Sequence, residues 1–267
     1  SLVALDAACQ NLQLHTCKRS LVAGVCLHLH ASSFMGMCVL HALAPDGQCK
    51  TFDSSADGYG RSEACGAVLL EQLIGAVQVA GTAVNQDGRS ASFMAPNGPS
   101  QEAVVQAAMQ QHISETHSVE AHGTGTALGD PIEVGALLRV MQNAVGAVQQ
   151  PLVLGARKSQ MAHSEGAAGM AGLLKVVQTL QNSLMSPNLH LQQANSQLNV
   201  IECAVMLPSE GCVSYLGLEG LMGVSSFGYA GTNSHGLVSS NNAVPPSMWL
   251  QPAVQYQHIA FEWWGAD

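Results

Sequence analysis

The sequence predicts an α/β protein, and three observations carry that prediction. After residue 115 the chain twice runs through an apolar strand, a loop of small residues and a helix. Both loops set a histidine just before the helix, where the functional groups of α/β proteins collect at strand ends. The interior residues are aliphatic, with 47% apolar, only 4% aromatic and 27 glycines, as suits closely packed sheets and helices. At 267 residues the chain is long enough to bury a sizeable core, as one large domain or two small ones.

Composition narrows the function. Charged residues make up 10%, against roughly 25% in an ordinary soluble domain, which implies that much of the surface is covered by other protein. The net charge is −9 and the nine Lys and Arg form no basic run, which argues against a nucleic-acid partner. Eight cysteines stand singly, with no CxxC pair and no secretory signal, as in a reducing, cytosolic setting. No apolar run reaches the roughly 18 residues of a membrane span. The chain opens directly into Ser1-Leu2-Val3-Ala4-Leu5 and reads as a piece of something longer.

Taken in order, Leu2, Leu5, Cys9 and Leu12 recur at helical spacing and predict a helix over the first fifteen residues. Leu21 to His30 reads as a strand, and Phe34 to Leu43 as a helix ending before Pro45. Loops follow at Pro45-Asp46-Gly47 and at Ser54 to Gly60. Ala67 to Leu73 and Ala76 to Val84 read as strands close enough to form a hairpin. Pro99 suits the first turn of a helix through Met109. A strand closes at Val119, and Asp130-Pro131 opens a helix to Met141. Pro151 to Gly155 is a strand, after which Ser164 can cap, and Glu165 favour, a helix through Leu180.

The histidines lie in Val119-Glu120-Ala121-His122-Gly123-Thr124-Gly125-Thr126 and in Ala156-Arg157-Lys158-Ser159-Gln160-Met161-Ala162-His163-Ser164-Glu165. Small neighbours let a substrate approach each imidazole, which can donate a proton or hydrogen bond at neutral pH. Two such stations predict one site holding an oxyanion between them. Other candidates have plainer readings. Cys26, His28 and His30 share one face of a strand, but no fourth ligand is in evidence and a half-buried surface explains them. Asn85, Gln86 and Asp87 fix a turn, while Gly166, Gly169 and Gly172 permit close helix packing. No metal site is expected.

Read together, the two histidine loops resemble those of β-ketoacyl synthases, and of type I polyketide synthase ketosynthases above all. The resemblance extends to Pro45-Asp46-Gly47-Gln48-Cys49-Lys50-Thr51-Phe52-Asp53, Ala56-Asp57-Gly58-Tyr59, Ala83 to Ser90, Ala95 to Gln101 and Gly223 to Asn233. Five motifs in order make the match specific. It implies a thiolase-like fold with α-β-α-β-α layers, of which this chain holds the C-terminal half and the end of the N-terminal half. Residues 1–94 would end the first half, 95–240 form the second, and 241–267 serve as a linker, docking peptide or tail. The implied reaction is decarboxylative Claisen condensation of an acyl thioester with malonyl-acyl carrier protein.

By the same resemblance, His122 and His163 hold the thioester oxygen, and Lys158 orients the second loop with Glu165 as its partner. The Phe227 amide, followed by Gly228, joins an oxyanion hole, and the Phe227 ring gates the pocket. Thr124, Thr126 and Asn233 support the site, and His235 supports the glycine-rich loop. No cofactor is implied, because substrates arrive on the phosphopantetheine of an acyl carrier protein. Other synthase domains and a second copy, in a homodimer, would be partners, in the cytoplasm or a plastid stroma.

The chain also departs from the pattern. The family's nucleophilic cysteine stands just ahead of the Ser-Leu-Val-Ala-Leu helix, and this sequence begins at that helix. Asp6-Ala7-Ala8-Cys9 mimics the nucleophile motif, but Cys9 falls mid-helix without the free amides that activate a thiolate. Gln160-Met161-Ala162 replaces an Asn-Ile-Gly run, Ala230 replaces a glycine, and Ser62 and Ala64 replace glycines after Arg61. The connection between Leu73 and Ala76 is unusually short. The chain alone is therefore expected to be inactive in condensation, with only weak decarboxylation of malonyl thioester surviving on the histidine pair, and a non-catalytic scaffold module is the rival reading. A thiolase using coenzyme A is disfavoured, since Ser225 to His235 contains no cysteine.

Overall fold

The computed structural model describes residues 1–72, 75–88, 95–142, 151–198, 205–210, 212–213 and 219–241. The expected tail from 242 onward lies outside them. In chain order the elements are α1 (Leu2–Gln13), β1 (Arg19–Cys26), α2 (Ser32–Val39), β2 (Ala64–Glu71), β3 (Val77–Gln86), α3 (Gly98–Met109), β4 (Thr116–Glu120) and α4 (Gly129–Gln142). There follow β5 (Leu152–Gly155), α5 (Lys158–Met161), α6 (Ala168–Asn182), β6 (Leu184–Met185), β7 (Val205–Met206), β8 (Cys212–Val213), β9 (Glu219–Phe227) and β10 (Thr232–Asn241).

A six-stranded mixed sheet in the order β3-β10-β9-β4-β5-β7 forms the centre. Its two faces feed separate cores. On one side Val104, Val105 and Met109 of α3 and Val134 and Leu137 of α4 pack on Val119, Leu154 and Leu237. On the other, Leu2 and Leu5 of α1 and Met170, Leu173 and Val176 of α6 pack on Met222, Val224 and Val238. The α1–α6 pair is tight enough that a Cβ on Gly169 would stand 2.8 Å from Leu2 Cγ, which explains a glycine there. The far side of that helix pair is covered by an antiparallel ribbon of β1 and β2, whose Val22, Val68 and Leu70 join the second core. The layers run α3/α4, six-stranded sheet, α1/α6, β1/β2, which are four consecutive layers of the expected thiolase-like arrangement.

Three expectations are corrected. β2 and β3 do not form a hairpin: β2 pairs with β1, while β3 pairs antiparallel with β10. Nearness along the chain is not nearness in the sheet when each strand has an apolar partner elsewhere. Strand β1 stops at Cys26, so His30 is not on it; its Nδ1 meets the Ser32 hydroxyl at 2.8 Å instead. The long helix begins at Ala168, after a 3-10 turn at Glu165–Ala167, and Ser164 makes no side-chain cap.

The ribbon is half-finished as a surface. Val22 faces the core, yet Leu21 is 71% and Leu69 56% exposed on the opposite face. Among the described residues nothing covers that apolar face, whereas the six-stranded sheet has helices on both sides.

Candidate active site

Strands β4, β5 and β9 run parallel, with Glu120 opposite Gly155 and Val224. Their carboxyl ends therefore lie at one edge, where crevices of α/β sheets bind ligands. Each end delivers one part of the site: β4 the His122 loop, β5 the Lys158–His163 segment, and β9 Phe227. Among the described residues they meet around a cavity of about 870 Å³. His122, His163, Glu165, Phe227, Gly228, Thr124, Thr126 and Asn233 all line it, while the buried Lys158 braces it from behind. The size is that of a small-molecule site.

The imidazole rings of His122 and His163 stand 5.4 Å apart, nearly perpendicular at 83°. The Phe227 ring lies 5.6 Å from His122 and the Tyr59 ring 5.1 Å from His163. Hydrogen bonding fixes both tautomers. His122 Nδ1 faces only donors, the Phe227 amide at 3.3 Å and Lys158 Nζ at 3.4 Å. His163 Nδ1 accepts from the Glu165 amide at 2.9 Å. With Nδ1 accepting on each ring, the proton of each neutral imidazole sits on Nε2.

Burial, with Lys158 as the next cause, holds the pKa of both rings well below that of a free histidine. Both are therefore neutral at pH 7. The site holds two imidazole donors without placing two cations side by side.

The first loop is braced from its own helix. Glu133 Oε1 accepts from the His122 amide at 2.6 Å and Oε2 from the Gly123 amide at 2.8 Å. Asp130 accepts from Gly125 at 3.2 Å and Phe52 at 2.9 Å, and burial pushes its carboxyl up to about 6. Burial likewise raises Glu133 and lowers Lys158. Gly123 (φ 44°) and Gly125 (φ 75°) occupy left-handed backbone, and a Cβ on Gly123 would stand 2.6 Å from that of Ala156. Glycine is required there.

Lys158 also donates to the His122 carbonyl, so it ties the second loop to the first. Glu165 is not its partner; it forms a two-pronged pair with Arg61, at 2.7 Å to Nε and 2.8 Å to Nη2. The two amides expected near the oxyanion already have protein acceptors, Phe227 on His122 and Gly228 on the Thr232 carbonyl at 2.6 Å. Thr124 and Thr126 bond each other at 3.2 Å, and Asn233 Nδ2 donates to Asp87 at 2.6 Å and Asn85 at 3.1 Å. Buried His235 bonds the Ser225 hydroxyl at 3.0 Å.

Sequence reasoning named neither Glu133 nor Tyr59 as a site residue. An acid three residues after Asp130 was visible at the helix start, but only the fold shows it reaching back to two amides. No cysteine among the described residues lines the cavity. Cys9 sits in α1 with its thiol pushed up to about 11 by burial and by Asp6.

Comparison with known proteins shows the family and the fold. Residues 1–76 match the β-ketoacyl synthase N-terminal domain and residues 76–192 the β-ketoacyl synthase C-terminal domain. The chain belongs to the β-ketoacyl synthase family. It is 40% identical to a phenolphthiocerol/phthiocerol polyketide synthase of Mycobacterium tuberculosis, over 97% of this chain and 15% of that protein. A pikromycin polyketide synthase component of Streptomyces venezuelae is 38% identical, over 94% of this chain and 17% of its own length. The ketosynthase from module 6 of the Bacillus subtilis bacillaene synthase superposes with a TM-score of 0.85 at 33% identity, over 90% of this chain. An oxazolomycin ketosynthase domain of Streptomyces albus JA3453 superposes at 0.87 with 30% identity, over 92%. The chain spans 46% of each of these two ketosynthases. No helix among the described residues is long and apolar enough to cross a membrane.

Proposed function

We propose that this chain is the oxyanion-binding part of a polyketide-synthase ketosynthase, an acyl-transferring enzyme. The supporting observation is the pair of neutral histidines, each held with Nε2–H free of the bond that fixes it, at one cavity. Malonyl thioester would lie with its carbonyl oxygen between the two donors. As carbon dioxide leaves, the electron pair of the breaking C–C bond moves into the enolate, and the two Nε2–H groups stabilise its oxygen. Preorganised donors aimed at developing charge are commonly the largest single catalytic contribution. Lys158 and Glu133 act as positioning residues, through the His122 carbonyl, Nδ1 and amide. Thr124, Thr126 and Asn233 shape the wall, and Phe227 gates it, with Gly228 at its turn.

The condensing step needs an acyl thioester on a thiolate. The place for it is the N-terminus of α1, whose Ser1, Leu2 and Val3 line the same cavity. A thiol there would gain from the helix dipole, as Cys9 does not. We therefore expect the 267-residue chain alone to release carbon dioxide from malonyl thioester but to form no β-ketoacyl product. The acyl groups would be presented by an acyl carrier protein on phosphopantetheine, and the condensation chemistry itself would draw on no metal or further cofactor. Other synthase domains and a second copy of the domain would cover the exposed β1/β2 face, in the cytoplasm or a plastid stroma.

The test is an assay of the purified chain, and of the same domain extended upstream, with acyl and malonyl carrier-protein substrates. Decarboxylation by the chain, lost in His163→Ala, and condensation only by the longer protein are expected. Condensation by the chain itself, or decarboxylation indifferent to His163, would refute the proposal. Absence of activity in both proteins would favour a scaffold module.

A further inference from the structure

The fold replaces one member of a cluster that the sequence left a ligand short: His30 drops out and Glu165 joins Cys26 and His28. Strand β1 ends at Cys26, and the chain beyond it brings His28 back beside that thiol, with Nε2 4.0 Å from Sγ. The third group comes from 139 residues away: Glu165 Oε2 lies 4.0 Å from the same sulfur. All three donor atoms fall within 4.8 Å of one another, on half-buried side chains. Donors in a tetrahedral zinc site are roughly 3.5 Å apart, given bonds of about 2.0–2.3 Å, so small rotamer adjustments would close this cluster.

We propose that Cys26, His28 and Glu165 bind a divalent cation of the zinc type, with water completing the coordination. The mixture of sulfur, imidazole nitrogen and carboxylate oxygen selects a borderline-soft ion over magnesium or calcium. An outer shell is already built. Glu165 Oε1 stays on Arg61 Nε at 2.7 Å, the kind of bond that orients a ligating carboxylate. Phe34 packs edge-on against His28 at 5.2 Å and under the Arg61 guanidinium at 4.5 Å, giving the cluster an apolar wall. Binding exchanges two existing contacts, the Arg61 Nη2 bond to Oε2 and the His28 Nε2 contact with the Ser62 carbonyl at 3.2 Å. The Cys26 thiol proton leaves to solvent as sulfur takes up the cation, and no redox step is involved. Because the Glu165 amide holds His163 Nδ1, an ion here stiffens the second histidine loop from behind.

The experiment is a titration of the metal-free chain with zinc in competition with a chromophoric chelator, repeated with cobalt(II) as a spectroscopic probe. One equivalent of zinc should bind with release of a proton, and the cobalt complex should show a single-thiolate charge-transfer band. Cys26→Ser should abolish that band and weaken zinc binding at least tenfold. His28→Gln, a second and independent variant, should weaken it at least tenfold, while Cys9→Ser should leave it unchanged. Absence of stoichiometric binding, binding indifferent to Cys26 and His28, or a cobalt complex without thiolate character would overturn the assignment. The readout is metal binding, so it stands or falls separately from the ketosynthase reading.

Discussion

The two histidine loops reach the same chemical end by different supports. The amides of the His122 loop are held from within its own strand–loop–helix unit, by Asp130 on the first turn of α4 and Glu133 just beyond it, with left-handed glycines between. The His163 loop is held from outside. Its amide donates to the Gly60 carbonyl at 2.8 Å, its carbonyl accepts from Ser62 at 3.0 Å, and Glu165 beside it is gripped by Arg61. It also carries Ala162 at φ 56° and ψ −172°, a region that ordinarily only glycine occupies. The first station has its amides answered within one unit, while its carbonyls accept from Lys158, Thr51 and Gly58; the second has both the amide and the carbonyl of its histidine on a segment about a hundred residues upstream. The difference teaches that His163 is the station most exposed to changes elsewhere in the protein.

Four measurements bear on that contrast. The largest effect is expected for Glu133→Ala, which leaves the His122 and Gly123 amides without their acceptor and removes the larger of two carboxylate charges acting on buried Lys158. A loss of about 3–5 kcal/mol in urea unfolding is predicted, and a loss under about 1 kcal/mol would show the first loop to be held otherwise. Arg61→Ala should cost about 1–2 kcal/mol, since Glu165 is partly solvated. Hydrogen exchange should then quicken at 163–167 and stay unchanged at 122–125; equal quickening in both would erase the distinction.

The pH dependence comes third. Both site histidines have depressed folded pKa values, so below about pH 6.5 the unfolded chain takes up protons that the folded one refuses, and stability falls with acidification. Each contributes up to about 1.4 kcal/mol per pH unit in that window. Asp130, raised to about 6, works in the opposite sense, because acidification through that value relieves a buried charge. His122→Gln or His163→Gln should therefore each flatten the slope below about pH 6.5 by roughly one proton; an unchanged slope would mean that the ring titrates normally. The smallest effect is that of Ala162→Gly, which relieves left-handed strain of about 1–3 kcal/mol against a more flexible unfolded chain, for a net gain of about 1 kcal/mol. Destabilisation would mean that the methyl group contributes packing that outweighs the strain.

What could be read from the sequence follows from the range of the forces involved. The helices α1, α3 and α4 and the strand–loop–histidine units are encoded locally, in periodicity, Pro99 and small residues, and all were visible. The pairing of β3 with β10 was not, because it joins residues about 150 apart through a shared apolar face. The same holds within the site. His122 and His163 announce themselves by their loops, whereas the Arg61–Glu165 pair spans 104 residues and no local pattern points to it. Glu133 was in view but ambiguous, since an acid one turn into a helix commonly faces solvent, and nothing local shows it reaching back to two amides. Glu165 as a neighbour of Cys26 was beyond reach for the same reason as Arg61: only tertiary structure sets them together.

The central claim is that both site histidines are neutral at pH 7, with Nδ1 accepting and Nε2 carrying the proton. Long-range proton–nitrogen NMR on imidazole-labelled protein, with His122→Gln and His163→Gln for assignment, reads that state directly. Two Nε2–H tautomers that persist without protonation down to about pH 6 are predicted. An Nδ1–H tautomer or an imidazolium at either position at pH 7 would contradict the account.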